Sequence, residues 1–179
     1  MRSGTVAMSR LRAVRRLEAY NQRVFGRFEQ SVRRHGWAAA VKNREIGHLS
    51  LKDTLVHILN VHEAWLVAIP QERWEVFDAP GRRPTDVRSW ADLRKYRERV
   101  WSGVQAFLGP LTEAKLARRV KAPWMPGRYT LEDAFYQVTI EQAHHLGEII
   151  GAYWQSDWKP PDMTWIENQP GRRVRRRGS

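Results

Sequence analysis

The chain of 179 residues contains no cysteine. This absence excludes disulfide bonds, cysteine-ligated zinc and a cysteine nucleophile, although it leaves the redox compartment undecided. Any thiol chemistry would therefore need a thiol from a second molecule. The sequence also lacks a glycine-rich phosphate loop and a recognisable serine, histidine and aspartate motif, so it carries no signal for a nucleotide-binding or serine-dependent enzyme.

Long apolar runs are absent as well. No segment approaches the roughly 18 consecutive apolar residues of a membrane-spanning helix. Residues 1–16 alternate arginines with small residues, and they lack the apolar stretch of about 7 to 15 residues that a signal peptide requires. We therefore expect a soluble, cytoplasmic protein that makes no membrane contact.

The net charge of +12 lies at the two ends of the chain. Residues 1–35 contain nine arginines and two glutamates, residues 171–179 contain five arginines, and residues 36–170 contain equal numbers of basic and acidic residues. We assign a helical domain to residues 1–168 and a basic, disordered tail to residues 169–179. The alternative function is a non-enzymatic basic bundle that binds nucleic acid or an acidic partner through its arginine-rich ends. Such binding would weaken steeply with salt and would be lost without residues 171–179. Because this is the alternative and not the leading hypothesis, we do not expect nucleic acid as a partner.

The spacing of apolar residues predicts helices and gives no strand-like alternation of any length. Three helices begin at a hydroxyl residue with an aspartate three positions later, a pattern close to the capping box. These pairs are Ser50 and Asp53, Ser89 and Asp92, and Thr130 and Asp133. The predicted long helices cover about 9–35, 51–69 (ending at Pro70), 90–108 and 131–155, and a short helix covers 113–119.

The fold class is therefore all-α, a four-helix bundle. The connector between the second and third long helices, residues 70–89, is long enough to return along a helix, which predicts an up-down-down-up order. The irregular segment 122–127 is predicted to form a lid or wall at one end of the bundle, with Trp124 against a pocket.

A carboxylate and an imidazole interrupt the apolar face of the last helix. Glu141 and His145 are four residues apart, so they share a helix face with Val138 and Ile149. His57 on an earlier helix could add a third ligand to a divalent metal. Spacing alone leaves two interpretations open, a metal site and a hydrogen-bonded polar core.

Three stretches of sequence resemble the DinB/YfiT-like metalloprotein superfamily. They are SLKDTLVHI at 50–58, YTLEDAF at 129–135 and EQAHHLGEI at 141–149, and the resemblance extends from the first helix to about Pro161. It implies an up-down-down-up bundle that holds a divalent metal through His57, Glu141 and His145. Many members have histidine where this chain has Glu141. The His/Glu/His set is similar to that of mycothiol-dependent maleylpyruvate isomerases. Those enzymes carry an extra C-terminal domain, which we do not expect in this chain.

The resemblance implies zinc, or else nickel, iron or manganese, as the metal. It further implies an enzyme with a small-molecule substrate, in which the metal activates a low-molecular-weight thiol for transfer to an electrophile, or activates water for hydrolysis. Because aromatic-rich bundle faces often pair, we also expect a homodimer.

The remaining histidines and two further carboxylates have weaker signals. His144 and His62 lie away from the predicted ligand face, and His35 and His48 fall in loops or at helix ends, where we interpret them as structural. Glu63 and Glu148 are placed to orient a ligand imidazole or to act as a base near metal-bound water, although a solvated or ion-paired carboxylate is the commoner role.

Overall fold

The computed structural model describes residues 9–169 of the chain. Its long helices are α1 (Arg10–Arg34), α3 (Leu51–Glu63), α5 (Trp90–Leu108) and α7 (Leu131–Trp154), and its short helices are α2 (Trp37–Val41), α4 (Ile69–Gln71) and α6 (Glu113–Leu116). Single π-helical and 3-10 turns cover Ala64–Ala68, Trp74–Asp78 and Pro84–Asp86. The prediction of a mainly helical fold is confirmed. The basic tail predicted over 169–179 lies, apart from Gln169, outside the described residues.

Hydroxyl caps begin the long helices, as the sequence predicts. The side chains of Ser50, Ser89 and Thr130 accept hydrogen bonds from the backbone N–H groups three residues later, at 3.1–3.2 Å. At Thr130 the box is complete, since Asp133 accepts a hydrogen bond from the Thr130 backbone N–H at 2.8 Å. Each cap satisfies backbone donors that a helix start would otherwise leave unpaired. These local contacts place the predicted helix starts correctly.

The second long helix continues past the predicted end at Pro70. A π-helical turn over Ala64–Ala68 joins α3 to α4, and its closing bond runs from the N–H of Ile69 to the carbonyl of Ala64. Proline lacks an N–H, and its ring clashes with the carbonyl four residues earlier in a regular α-helix. A wider turn just before Pro70 removes that regular spacing, so the chain stays helical to Gln71.

One short pair of strands replaces part of a predicted helix. The helix predicted over 113–119 ends at Leu116, and β1 (Arg119–Val120) pairs antiparallel with β2 (Tyr129–Thr130). Arg119 is opposite Thr130, and Val120 is opposite Tyr129. The sequence shows no alternation here because two-residue strands are too short to display any. This pairing brings the irregular segment 121–128 to the start of α7.

The core lies between the four long helices. α3 packs against both α5 and α7, and α1 packs against α7. The largest fully buried side chains include Phe25, Phe28, Leu55, Ile58, Leu66, Leu93, Phe135 and Tyr153. Burial of this apolar surface is the main favourable contribution to folding. α1 and α7 are in contact at one end through Arg10 and Glu132 and at the other end through Tyr153 and His35, the residue after α1. Glu63 at the end of α3 contacts Tyr96 of α5, and Val67 in the following π-helical turn contacts Gly103.

Within residues 9–169, no helix combines the length and the apolar character that crossing a bilayer demands.

Candidate metal centre

Three imidazoles meet between α3, α7 and the loop that precedes α3. The ring nitrogens of His48, His57 and His145 offer ligand atoms that all lie within 4.8 Å of one another. The ring centroids are 3.8 Å apart for His48 and His57, and 4.5 Å apart for His57 and His145. Around a tetrahedral zinc with bonds of about 2.05 Å, ligand atoms are roughly 3.3 Å apart. The ring nitrogens are therefore close enough for side-chain rotation to bring them around one ion.

His57 and His145 come together as the sequence interpretation expects, whereas His48 was interpreted as structural. The backbone of Leu49 adopts a left-handed conformation, with φ of 67°. The carbonyl of His48 accepts a hydrogen bond from the N–H of Ser50 at 2.8 Å, at the start of α3. This turn directs His48 against His57, which lies nine residues later in the second turn of α3. A left-handed leucine is uncommon, so no local sequence signal announces this turn.

Glu141 lies next to His145 on α7. Its Oε2 atom is 3.4 Å from Nε2 of His145, which is close to the separation of two ligand atoms around a tetrahedral ion. Its other oxygen, Oε1, accepts a hydrogen bond from Gln137 at 2.9 Å. Among residues 9–169, the group of close ligand atoms that includes His57 consists of His48, His57 and His145. Glu141 is not a member of this group. Glu141 therefore adjoins the three-imidazole cluster through His145.

Glu148 fixes the orientation of the His145 ring. Its Oε2 atom is 3.0 Å from Nδ1 of His145, which leaves Nε2 as the nitrogen that faces Glu141. A carboxylate behind a metal-binding histidine sets the tautomer and strengthens the ligand. Glu148 also contacts His144 at 3.5 Å, and His144, His145 and Glu148 form a second group of close ligand atoms. The side chain of His144 is 66% exposed, so this second group is the less shielded of the two.

The electrostatic setting favours the neutral forms of His57 and His48. Burial, followed by the neighbouring His48 and His145, lowers the pKa of His57 to about 4. Burial and His145 also lower the pKa of His48, although nearby carboxylates oppose the shift. A histidine binds a metal only in its neutral form, so these rings are ready to donate lone pairs at neutral pH. Neutral imidazoles together with a carboxylate are a donor set that fits a divalent transition metal.

A cavity of about 560 Å³ opens beside the cluster. His57 and Glu141 lie on its wall, and Trp124 lines it as the sequence predicts. The other lining residues are Asn60, Val61, Ala64, Trp65, Phe77, Arg82, Met125 and Gln137. This volume falls within the usual range for small-molecule sites. His57 and Glu141 therefore border a space that a substrate can enter.

A separate polar cluster lies deeper in the bundle. The side chains of Glu18 and His62 are fully buried, with Oε1 of Glu18 3.5 Å from Nδ1 of His62. Nε2 of His62 lies 3.1 Å from the side-chain oxygen of Gln142. As the helix geometry predicts, His62 does not join the ligand face of His57. The sequence interpretation missed Glu18, although Glu18 and Asn21 follow the same helical period as buried Val14 and Phe25.

These features define a helical bundle with a candidate divalent-metal site on the wall of a cavity. A comparison with family models matches residues 14–149 to the DinB superfamily. The chain belongs to the DinB superfamily, and the resemblance drawn from the sequence is confirmed at that level. A comparison with curated proteins found no match.

Proposed function

We propose that this protein is a divalent-metal-dependent enzyme that transfers a small cellular thiol to an electrophilic substrate. The observation that carries the proposal is the position of the three-imidazole cluster, since His57 belongs both to the cluster and to the cavity wall. The absence of cysteine means that the thiol would come from a cosubstrate. Hydrolysis by an activated water would use the same site, and it is the second reaction that we would assay.

We assign the metal to His57, Glu141 and His145, with zinc as the first choice and nickel, iron or manganese as the others. When bound, such an ion would lower the pKa of a thiol or water at its open position. Four protein ligands would leave a tetrahedral ion closed to substrate, as in structural zinc sites. His48 is therefore assigned as the loop residue that covers the site.

The chain itself contributes orientation and shielding. Gln137 holds Glu141, and Glu148 holds His145, each from a position one turn away on α7. Two ligands with fixed side chains lose less conformational entropy when an ion binds. Trp65 and Trp124 form part of the cavity wall beside them. A thiol and an electrophile brought together in this space would react as neighbours.

Metal content tests the ligand set directly. The metal content of protein purified without added metal is measured by inductively coupled plasma mass spectrometry. The samples are wild type, His57→Ala, Glu141→Gln, His48→Ala and His144→Ala. We expect close to one divalent metal per chain in wild type and in His144→Ala, and loss of the metal in His57→Ala. His144→Ala is the matched control, because it removes an exposed imidazole of the second group.

The remaining two variants distinguish Glu141 from His48. Metal lost in Glu141→Gln and retained in His48→Ala supports the assigned set. The reverse result would replace Glu141 by His48 and give a three-imidazole site. A wild-type protein that holds no metal, and whose melting temperature does not change with a chelator, contradicts the metal proposal.

Activity is assayed by loss of thiol from a mixture of the protein, an electrophilic fluorogenic bimane and mycothiol, bacillithiol or glutathione. Ester hydrolysis without thiol is the parallel assay for activated water. Thiol-dependent turnover that disappears in His57→Ala supports the transfer function. Equal turnover in wild type and His57→Ala would show that the reaction does not use this site.

The order of the long helices and the oligomeric state are two further proposals. We propose the up-down-down-up order of the long helices, supported by the contacts that join Arg10 with Glu132 and His35 with Tyr153 at corresponding ends of α1 and α7. We further propose a homodimer, supported by Tyr136 and Ile140 on the outer face of α7, which are 48% and 66% exposed.

A further inference from the structure

The cavity beside the histidine cluster has one basic side chain on its wall, Arg82. It comes from the connector between α4 and α5, and only 17% of the side chain is exposed. Its guanidinium lies over the ring of Phe77 at 4.6 Å from the ring centroid. A cation held against an aromatic face in this way has little freedom to turn towards bulk water.

One hydrogen bond of Arg82 points away from the cavity, towards Glu63. Nε of Arg82 donates to Oε2 of Glu63 at 3.0 Å. This bond uses one of the five N–H groups of the guanidinium. Within residues 9–169, the two terminal amino groups of Arg82 have no hydrogen-bond partner. The hydrogen bond at Nε fixes the orientation of the guanidinium. Its unpaired terminal amino groups can then donate hydrogen bonds to an oxyanion.

The local charges do not cancel. Glu63 is almost fully buried, and its two oxygens are shared between two cations, Arg82 at 3.0 Å and Arg99 at 3.3 Å. Tyr96 also donates its hydroxyl to this carboxylate at 2.9 Å. One carboxylate cannot neutralise two guanidinium groups, so the group formed by Arg82, Glu63 and Arg99 carries one net positive charge. Partly buried charge of this kind is unfavourable until an anion pairs with it.

Arg82 and the histidine cluster border the same cavity. Its lining includes Arg82 from the connector together with His57 from α3 and Glu141 from α7. A molecule whose anionic group pairs with Arg82 would lie with its other end near His57 and Glu141.

The remaining walls are aromatic and suit a flat molecule. The ring of Trp124 is 5.6 Å from that of Phe77 and 6.3 Å from that of Trp65, and it is almost perpendicular to both. Trp65 is buried, whereas Trp124 is 53% exposed. Aromatic side chains in such arrangements bind planar ligands by stacking and edge contacts.

We propose that the cavity binds a planar aromatic carboxylate, with Arg82 as the residue that pairs with the carboxylate. The aromatic walls hold the planar body, and the carboxylate lies at the end of the cavity bounded by the connector. This assignment names the substrate class of the proposed enzyme and rests on that proposed function. It makes Arg82 a residue that determines specificity and gives it no part in holding the metal.

The test compares two probes of nearly equal shape, 2-naphthoate and its neutral amide 2-naphthamide, by isothermal titration calorimetry. Binding is measured for wild type, Arg82→Gln, Arg82→Lys and Arg94→Gln, and the metal content of each sample is recorded. Arg94→Gln is the matched control, because it removes the same charge from an exposed position on α5 outside the cavity. Melting temperatures show whether each variant is folded.

We expect wild type and Arg94→Gln to bind the carboxylate about tenfold more tightly than the amide, which corresponds to about 1.4 kcal/mol. Arg82→Gln should bind the two probes about equally, and Arg82→Lys should keep part of the preference because it keeps the charge. Metal content should not change in any of these variants. This pattern supports the assignment.

Three outcomes would overturn it: no preference in wild type, no binding of either probe at millimolar concentration, or a preference that survives in folded Arg82→Gln. The last outcome, combined with its loss in His57→Ala, would place the carboxylate on the metal. Because metal content is measured on the same samples, failure of this assignment is distinct from failure of the proposed function. A wild type with metal and no carboxylate preference contradicts only the former.

Discussion

Gly47→Ala should weaken metal binding without unfolding the protein. Gly47 lies in the loop before α3, and a Cβ atom added there would lie 2.8 Å from Cδ of Glu148 and closer still to Oε1. Non-bonded heavy atoms prefer separations of about 3.5–4.0 Å, so the carboxylate has to move by about 1 Å. The backbone of Gly47 is not left-handed, so alanine causes no backbone strain there.

The expected loss follows from the contact that Glu148 makes. The carboxylate is 3.0 Å from Nδ1 of His145, and a shift of about 1 Å takes such a contact beyond hydrogen-bond range. Loss of a carboxylate behind a metal-binding histidine typically lowers metal affinity about 10- to 100-fold. The carboxylate is the free end of a flexible side chain, so we expect stability without metal to change by less than about 1 kcal/mol.

Zinc affinity is measured by competition with a fluorescent chelator, and stability by urea unfolding of metal-free protein. Gly147→Ala is the matched control, because it makes the same substitution beside Glu148 with nothing within 4 Å of the new Cβ. It should keep zinc affinity and stabilise α7 by about 0.5–1 kcal/mol. If the effect acts through Glu148, Gly47→Ala should change nothing further in a Glu148→Ala background. A folded Gly47→Ala protein with wild-type zinc affinity would refute this reasoning.

Two further changes test the bundle itself. Glu18→Ala should destabilise the fold by about 1–3 kcal/mol, because it removes the buried carboxylate that accepts hydrogen bonds from Asn21 and Gln22. Glu18→Gln should cost less, because it keeps an acceptor oxygen, and unchanged stability of Glu18→Ala in urea unfolding would contradict this. Ile140→Asp should convert the proposed homodimer to a monomer, as judged by light scattering after size exclusion, because it places a charge on an exposed apolar face. A wild-type protein that is already monomeric would remove the dimer proposal.

The helix starts could be predicted from sequence because their signals are local. A hydroxyl at Ser50 and an aspartate at Asp53 are three residues apart, and no other part of the chain is needed to form their bonds. The end of the same helix was predicted wrongly, because Pro70 is a strong stop signal only in regular α-helical spacing. The π-helical turn over Ala64–Ala68 changes that spacing. Such a turn depends on packing against neighbouring helices, which a local pattern does not report.

In the candidate site, too, the contacts within one helix could be predicted from the sequence, whereas those between elements could not. Gln137, Glu141, His145 and Glu148 follow one another at intervals of three or four residues, so their contacts on α7 follow from helix geometry alone. The position of His48 depends instead on the left-handed backbone of Leu49 in the loop before α3. The spacing of residues in the sequence does not predict the course of that loop. The distance from His57 to His145 spans two helices. Spacing alone left it as one of two interpretations, and the resemblance of the surrounding residues to the DinB superfamily favoured it.

Because some of these contacts lie within α7 and others join separate elements, the complete site forms only in the folded bundle. α7 alone can orient a carboxylate and an imidazole, but two ligands 3.4 Å apart on an exposed helix would compete poorly with water for a divalent ion. Packing of α3 against α7 adds His57, and burial keeps that imidazole neutral. The same packing forms the cavity between α3, α7 and the connector that carries Arg82. The contacts that assemble the ligands therefore also build the space in which a bound molecule would lie.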